Sequence, residues 1–317
     1  MNNSNRSYVN KHHKKKFSAG EFIIEKALLL FAGISIVTTI VIVYTLFGET
    51  IGFFKEVSIK EFFTSKEWTP TLEPRNFGVL PLFLGTMIIA VVSSIVALPM
   101  GLGSAIYLSE YAPKKVRKLI KPILEILAGI PSIVYGFFAL NFITPILQKI
   151  MPQTQVFNAL SASIAVGIMI IPMVASLCED AMMAVPNSIR QGAYALASTR
   201  YEVAMRVIVP ATRSSIGSAF VLAISRAIGE TMIVAIAAGQ NPVLTLNPLE
   251  SIQTMTGFMV NISLGDIQQG TIEYNTVFAV GALLFLITFV MNVIAKAIVN
   301  RDRRLLNGSR KPVKNSQ

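Results

Sequence analysis

The stretch SRAIGETMIV, residues 225–234, sets a cation and an anion, Arg226 and Glu230, four residues apart inside the apolar run 212–239. At 1.5 Å of rise per residue the middle of such a helix falls near residue 226. What the two charges mean depends on whether the run crosses a membrane. Six apolar runs occur, near 24–48, 78–108, 122–147, 158–183, 212–239 and 275–298, and several exceed the roughly 18 residues that argue for a spanning helix. Apolar residues make up 53% of the 317-residue chain and charged ones only 14%, with a mean hydropathy of +0.59. The expectation is an all-α integral membrane protein with six transmembrane helices.

Inside such a helix, Arg226 and Glu230 share a face at i, i+4 and can pair. An arginine at mid-membrane costs about 2.5–3.5 kcal/mol on insertion scales. Pairing reduces that cost, and replacing both residues with leucine would remove it, so stability does not explain the pair. Two readings stand. The guanidinium, a planar fork of donors, meets an anion in a substrate path while Glu230 holds it when the path is empty. Alternatively the pair is a structural bridge that fixes helix register. A stripe of small residues, Ala219, Ala223, Ala227, Thr231 and Ala235, repeats every four positions and suits close packing against another helix.

Charge placement orients the chain. Taking the loops alternately, one side collects twenty-one Lys and Arg and the other five. That asymmetry puts both termini in the cytoplasm. It also accounts for the net charge of +11 without a nucleic-acid partner. The run KHHKKKF (11–17) resembles the start of a cleaved signal, but the apolar stretch after it is too long and lacks a small-residue cleavage site. A retained first helix is expected. His12 and His13 read as part of a solvated basic flank rather than a metal tract. A single cysteine, Cys178, excludes internal disulfides. No P-loop sequence occurs, and no nucleophile or paired carboxylates converge in the spans.

In the loop 49–76 the phenylalanine pairs and Trp68 read as an interfacial aromatic belt, with contact to an external protein as the other reading. Pro99, Gly101 and Gly103 interrupt the second span, and Gly129 and Pro131 the third, which points to helices packed in a bundle. Glu179 and Asp180 read as a solvated helix end, and Glu125 as an interfacial residue. From Val185 the chain runs VPNSIRQGAYALASTRYEVAMRVIVPATRSS, bracketed by Pro186 and Pro210, with Asn187 or Ser188 as candidate cap. Ala193, Leu196, Ala197, Tyr201, Ala204 and Val207 recur at three and four, predicting one amphipathic helix on the cytoplasmic side.

These stretches together resemble the membrane subunits of ATP-binding-cassette importers. Members carry a cytoplasmic loop of the form E-A-A-x3-G-x9-I-x-L-P, which falls here on Gln191, Gly192, Ala193, Ala197, Val207, Val209 and Pro210. Ala193 and Pro210 match outright; Gln191 lacks the carboxylate and Ala197 replaces the glycine. LPMGLGSAIYLSEYAP, LAGIPSIVYGFFAL, CEDAMMAVP and SRAIGETMIVAIAAG are similar to the phosphate-specific permeases, and the GETMIV continuation resembles their C-type subunit.

The resemblance implies a type I importer (MetI-like) transmembrane domain and inorganic phosphate as substrate. It implies a heterodimer with an A-type permease, two cytoplasmic ATPase subunits and an external phosphate-binding protein. ATP and Mg would bind the ATPase partner, with no cofactor and no catalysis in this chain. Arg226 and Glu230 match a charged pair of the transport path. The organisation expected is a basic tail at 1–21, a first transmembrane helix at 22–48, an external loop at 49–76, a five-helix permease core at 77–300 and a basic tail at 301–317. The core carries the ATPase-coupling loop 185–210. A permease for another oxyanion, sulfate or molybdate, and an ion-coupled secondary transporter are the alternatives; the latter would need an internal inverted repeat.

Overall fold

A computed structural model describes residues 19–265 and 267–308. His12, His13 and most of the two basic tails lie outside the described residues. The chain divides into two compact units, residues 1–48 and 49–317. Helix α1 (Ala19–Glu56) runs through the division. From Ala27 to Leu46 its part in the first unit carries no charged residue and is apolar on most sides, as a helix in lipid should be.

In the second unit the external segment is more ordered than a loop. The last turns of α1, the short α2 (Ile59–Thr64) and a two-stranded hairpin, β1 (Trp68–Thr69) with β2 (Asn76–Phe77), pair Trp68 opposite Phe77 in antiparallel register. Phe53, Phe62, Trp68 and Phe77 are buried together, with Phe53 edge-on to both Phe62 and Phe77. Trp68 meets Phe258 edge to face at 4.9 Å. This corrects the aromatic-belt expectation for Phe53, Phe62 and Trp68: edge-to-face packing buries them in a small protein core instead of leaving them to face lipid headgroups.

Helix α3 (Leu80–Ile106) continues through a wide turn at Tyr107–Tyr111. Pro99 and Gly101 do not interrupt it. Gly101 instead permits contact, since a Cβ there would lie 2.6 Å from Val174 of α7 (Ala159–Met183). Gly167 of α7 plays the same part against Ser93 and Val96 of α3. The paired positions rise together along both helices, so α3 and α7 run parallel, with Ala97, Ala162 and Ala165 fully buried between them.

Gly129 and Pro131 do break the chain. Before them lies α4 (Lys114–Ala128), an amphipathic helix; after them come α5 (Ser132–Phe138), a wide turn at Ala139–Ile143 and α6 (Thr144–Ile150). The third span is therefore Ser132–Ile150, not 122–147, because α4 carries its charges along one stripe. Glu125 is an exposed residue of α4.

The segment after α7 is not one helix. It forms α8 (Asn187–Ala195), a turn, and a second helical stretch made of α9 (Arg200–Glu202), a wide turn at Val203–Ile208 and α10 (Val209–Ala211). This stretch bends by 72° into α11 (Arg213–Ile228). A break at 229–231 leads to α12 (Met232–Ala237), followed by extended chain, α13 (Met255–Leu264) and α14 (Ile272–Gly308). By length and composition five described helices can cross a membrane, or six if the bent pair ending in α11 counts as one span.

Candidate functional site

The 212–239 run is two helices, so Arg226 and Glu230 do not share an uninterrupted helical face. Gly229 ends α11, and Glu230 sits in the break, where its Oε1 accepts the Ile233 amide at 3.4 Å. The small-residue stripe is buried at Ala219, Ala223 and Ala227 and stops there. Glu230 is only 3% exposed, whereas Arg226 is 55% exposed. Their nearest charged atoms, Nη2 and Oε2, are 3.9 Å apart, close enough to attract but too far for a hydrogen bond. Among the described residues the guanidinium makes no hydrogen bond. A buried acid thus holds one side of the site while a fork of free donors faces outward.

Residues that periodicity did not single out surround this break. Thr256 donates to the Glu230 carbonyl at 2.6 Å and lies 3.2 Å from Thr254, whose hydroxyl caps α13 by accepting the Gly257 amide. Thr86 of α3 accepts the Met255 amide at 3.0 Å. Gly85 allows that approach: a Cβ there would lie 2.4 Å from the Gln253 carbonyl. Thr86, Gln253, Thr254 and Thr256 are all buried. The sequence signal was present in SIQTMT, a polar alternation in a loop without cations, but nothing local showed that it turns back to Glu230. A separate groove of about 920 Å³ between α3, α11 and α14 is lined by apolar side chains and Ser94 and includes neither charged residue.

The residues expected to couple to an ATPase lie along α8–α10. Gln191, Gly192, Ala197 and Pro210 are exposed, while Ala193, Val207 and Val209 are half-buried against the core. Ala197 has φ +58°, the left-handed region where glycine is favoured. A single amphipathic helix cannot pass through that residue, which is why the expected face is divided. Ala204 is buried, but Leu196 is 84% exposed and Tyr201 also projects outward. Neither Asn187 nor Ser188 caps α8, whose N-cap is Pro186 without a side-chain bond; α9 has the side-chain cap, where the Thr199 hydroxyl accepts the Glu202 amide while the Glu202 carboxylate accepts the Thr199 amide. The Thr199 amide, first, and then the Thr199 hydroxyl donate to the Glu202 carboxylate and hold its pKa below the ordinary value.

At the same end, Glu179 is not a solvated helix end. It is fully buried, with Oε1 hydrogen-bonded to Arg117 and Oε2 3.5 Å from Lys121. Asp180 binds Lys121 at 2.7 Å, which raises the lysine's pKa. Arg190 reaches back to Glu110 at 3.0 Å and to the Met182 and Val185 carbonyls, tying α8 to α3 and α7.

Residues 97–304 match the family described as Binding-protein-dependent transport system inner membrane component. A Probable ABC transporter permease protein YqgH of Bacillus subtilis (strain 168) is 33% identical over 247 residues, covering 78% of this chain and 80% of that protein. The Phosphate transport system permease protein PstC of Xylella fastidiosa (strain 9a5c) is 32% identical over 263 residues, covering 77% and 79%. In structure, a membrane chain from a bacterial alginate ABC transporter crystallised with a pentasaccharide-bound periplasmic protein superposes with a TM-score of 0.61. It is 16% identical and covers 88% of this chain and 96% of that one, a likeness of fold alone.

Proposed function

The chain belongs to the family of binding-protein-dependent transport system inner membrane components, and from that membership we propose that it is the membrane permease subunit of an ATP-binding-cassette importer for inorganic phosphate. Relatives named as phosphate transport permeases, at about a third identity over three quarters of the chain, support the substrate. The observation in the chain itself that carries the reading is the open pair at the break in span five. Arg226 offers uncommitted donors beside a buried carboxylate that attracts without binding it. An arriving phosphate can take those donors two at a time, in the geometry a guanidinium suits. When phosphate leaves, Glu230 is close enough to recover the cation. Binding is then reversible, as passage requires.

The partners follow from the family reading. An A-type permease completes a heterodimer, two cytoplasmic ATPase subunits bind ATP and Mg, and an external phosphate-binding protein delivers the anion. This chain holds no cofactor and carries no catalytic step. Both termini are cytoplasmic, which sets α8–α10 on the ATPase side. The exposed Leu196 and Tyr201, flanking the turn at Ala197, suit a docking knob for that partner. The stretch Arg200–Ala211 leads through its 72° bend into the helix that bears Arg226, so a push on the turn has a short route to the site.

The test is radiolabelled phosphate uptake in cells lacking the gene and supplied with the wild-type chain, Arg226→Lys or Arg226→Ala. Loss in Arg226→Ala, partial retention in Arg226→Lys and resistance to sulfate and molybdate would support the assignment. Competition by either anion would transfer the role to another oxyanion. Full uptake by Arg226→Ala would reduce the pair to a structural bridge.

A further inference from the structure

We propose that α4 is an interfacial helix that binds anionic lipid in the leaflet at the basic end of the bundle. At 100° per residue Lys114, Lys118, Lys121 and Glu125 form one stripe of this helix, with Arg117 beside it. Val116, Leu119, Ile120, Ile123 and Leu127 form the opposite face. Two of the cations are already committed: Arg117 to Glu179, and Lys121 to Glu179 and Asp180. Those pairs anchor one edge of α4 to α7 and thereby fix its roll about its own axis. With the roll fixed, Val116 and Ile120 are half-covered, while Leu119, Ile123 and Leu127, with Ile126 at the edge of the face, are left uncovered by the described residues. Leu119 is 66% and Ile126 69% exposed.

Three further lysines, Lys114, Lys115 and Lys118, are exposed and have no acidic partner among the described residues. Lys114 and Lys118 line a groove of about 480 Å³ with Arg117, Lys121 and Pro122. Glu125 also lines it, leaving the groove basic on balance. A strongly basic stripe beside an uncovered apolar face is the pattern of a helix lying in the membrane interface, with apolar side chains among the acyl chains and cations at the headgroups. The apolar band is continuous with a span: α5 begins after only Gly129, Ile130 and Pro131, and its Ile133 and Val134 are exposed in the same way. The occupant that fits both faces is a lipid with a net negative headgroup. The inference stands independently of the transported substrate.

Depth and charge can be measured together. Cys178 is the sole cysteine, so Ile126→Cys in a Cys178→Ala background gives one labelling site, with Lys118→Cys as the headgroup-side control. The chain, with whatever subunits it purifies with, is labelled with an environment-sensitive fluorophore. It is then reconstituted in vesicles of phosphatidylcholine and phosphatidylglycerol in which one lipid is brominated near the glycerol end of its acyl chain. At residue 126 we expect quenching by brominated lipid and protection from aqueous iodide. Brominated phosphatidylglycerol should quench about threefold more than brominated phosphatidylcholine, since each lysine near an anionic surface adds to the attraction. Lys114→Gln, Lys115→Gln and Lys118→Gln combined should bring the two lipids level. Iodide access at 126, shielding from both quenchers by a protein partner, or equal quenching by the two lipids in the wild type would overturn the proposal.

Discussion

Two of the arginine–glutamate pairs in this bundle, Arg117–Glu179 and Arg226–Glu230, differ in what surrounds the base. Glu179 and Glu230 are equally inaccessible carboxylates on apolar helices or at their ends. Around Glu179 the cations come from another helix, Arg117 hydrogen-bonded and Lys121 shared with Asp180, each more than two-thirds buried. Around Glu230 the cation comes from the same chain segment, remains more than half exposed and stays 3.9 Å away. The first arrangement spends its charges holding α4 to α7. The second leaves a guanidinium able to bind something else. Burial of the acid alone therefore does not separate a clamp from a site; the commitment of the base does.

Substitutions at the two sites should diverge accordingly. The largest effect is on transport. Arg226→Ala should take phosphate uptake per folded molecule to background, with a smaller loss of stability than at the clamp, since the cation it removes is half exposed and not hydrogen-bonded to Glu230. Glu179→Ala should do the reverse. Removing a buried partner leaves cations stranded at a helix contact, at a cost of about 3 kcal/mol. Thermal unfolding in detergent would report that loss, and uptake per folded molecule should remain near wild type. If Glu179→Ala instead lost uptake with no change in unfolding, the contrast between clamp and site would fail.

A third position sharpens the comparison because it touches neither pair. Ala197 occupies the left-handed region, which costs a non-glycine residue about 1–2 kcal/mol. Ala197→Gly should therefore stabilise the chain by about 1 kcal/mol, seen as a higher unfolding temperature, with uptake retained. Ala197→Val should be worse than wild type on both counts. Its branched side chain disfavours the turn, so ATPase activity measured on the co-purified complex should no longer respond to substrate. Unchanged coupling in Ala197→Val would separate this turn from the site at Arg226.

The contrast also explains what the sequence could and could not disclose. Apolar runs and Pro131 are local signals, and they led to a membrane bundle with a break at 129–131, whereas the interruption expected at Pro99–Gly103 does not occur. Ala197 fell on a motif glycine, yet periodicity read it as helix, and the turn there was not expected. The partners of Glu179, by contrast, lie some sixty residues upstream in α4, and no local pattern connects them. Glu230 was visible as a charge in an apolar run, yet Gly229 was read as part of a continuous span. The break there is supported from α13, through Thr256, and that support is a tertiary contact. Trp68 and its phenylalanine neighbours were misassigned for the same reason: aromatic residues between spans suit a headgroup belt or a small core equally, until the hairpin and Phe258 decide it.

The smallest expected effect belongs to a third glutamate, at which the partners are backbone and hydroxyl donors and solvent is close by. Glu202 accepts hydrogen bonds from the Thr199 amide and hydroxyl, each at 3.0 Å, with Arg206 at 3.3 Å. These favour the ionised form, so the folded carboxyl titrates below its ordinary value of 4.5. A lowered value means the unfolded chain binds the proton more readily, and stability from this cap rises with pH. It is present above about pH 4.5 and is lost as pH falls through the lowered folded value. Glu202→Gln removes the charge at every pH. Amide exchange over residues 199–206 should then show the wild type better protected at pH 7, with the difference shrinking on acidification below pH 4.5. A difference that persisted undiminished in acid would mean that the cap holds through its shape and neutral hydrogen bonds alone. In that case an ionised carboxylate contributes in this chain only where it is buried against a cation.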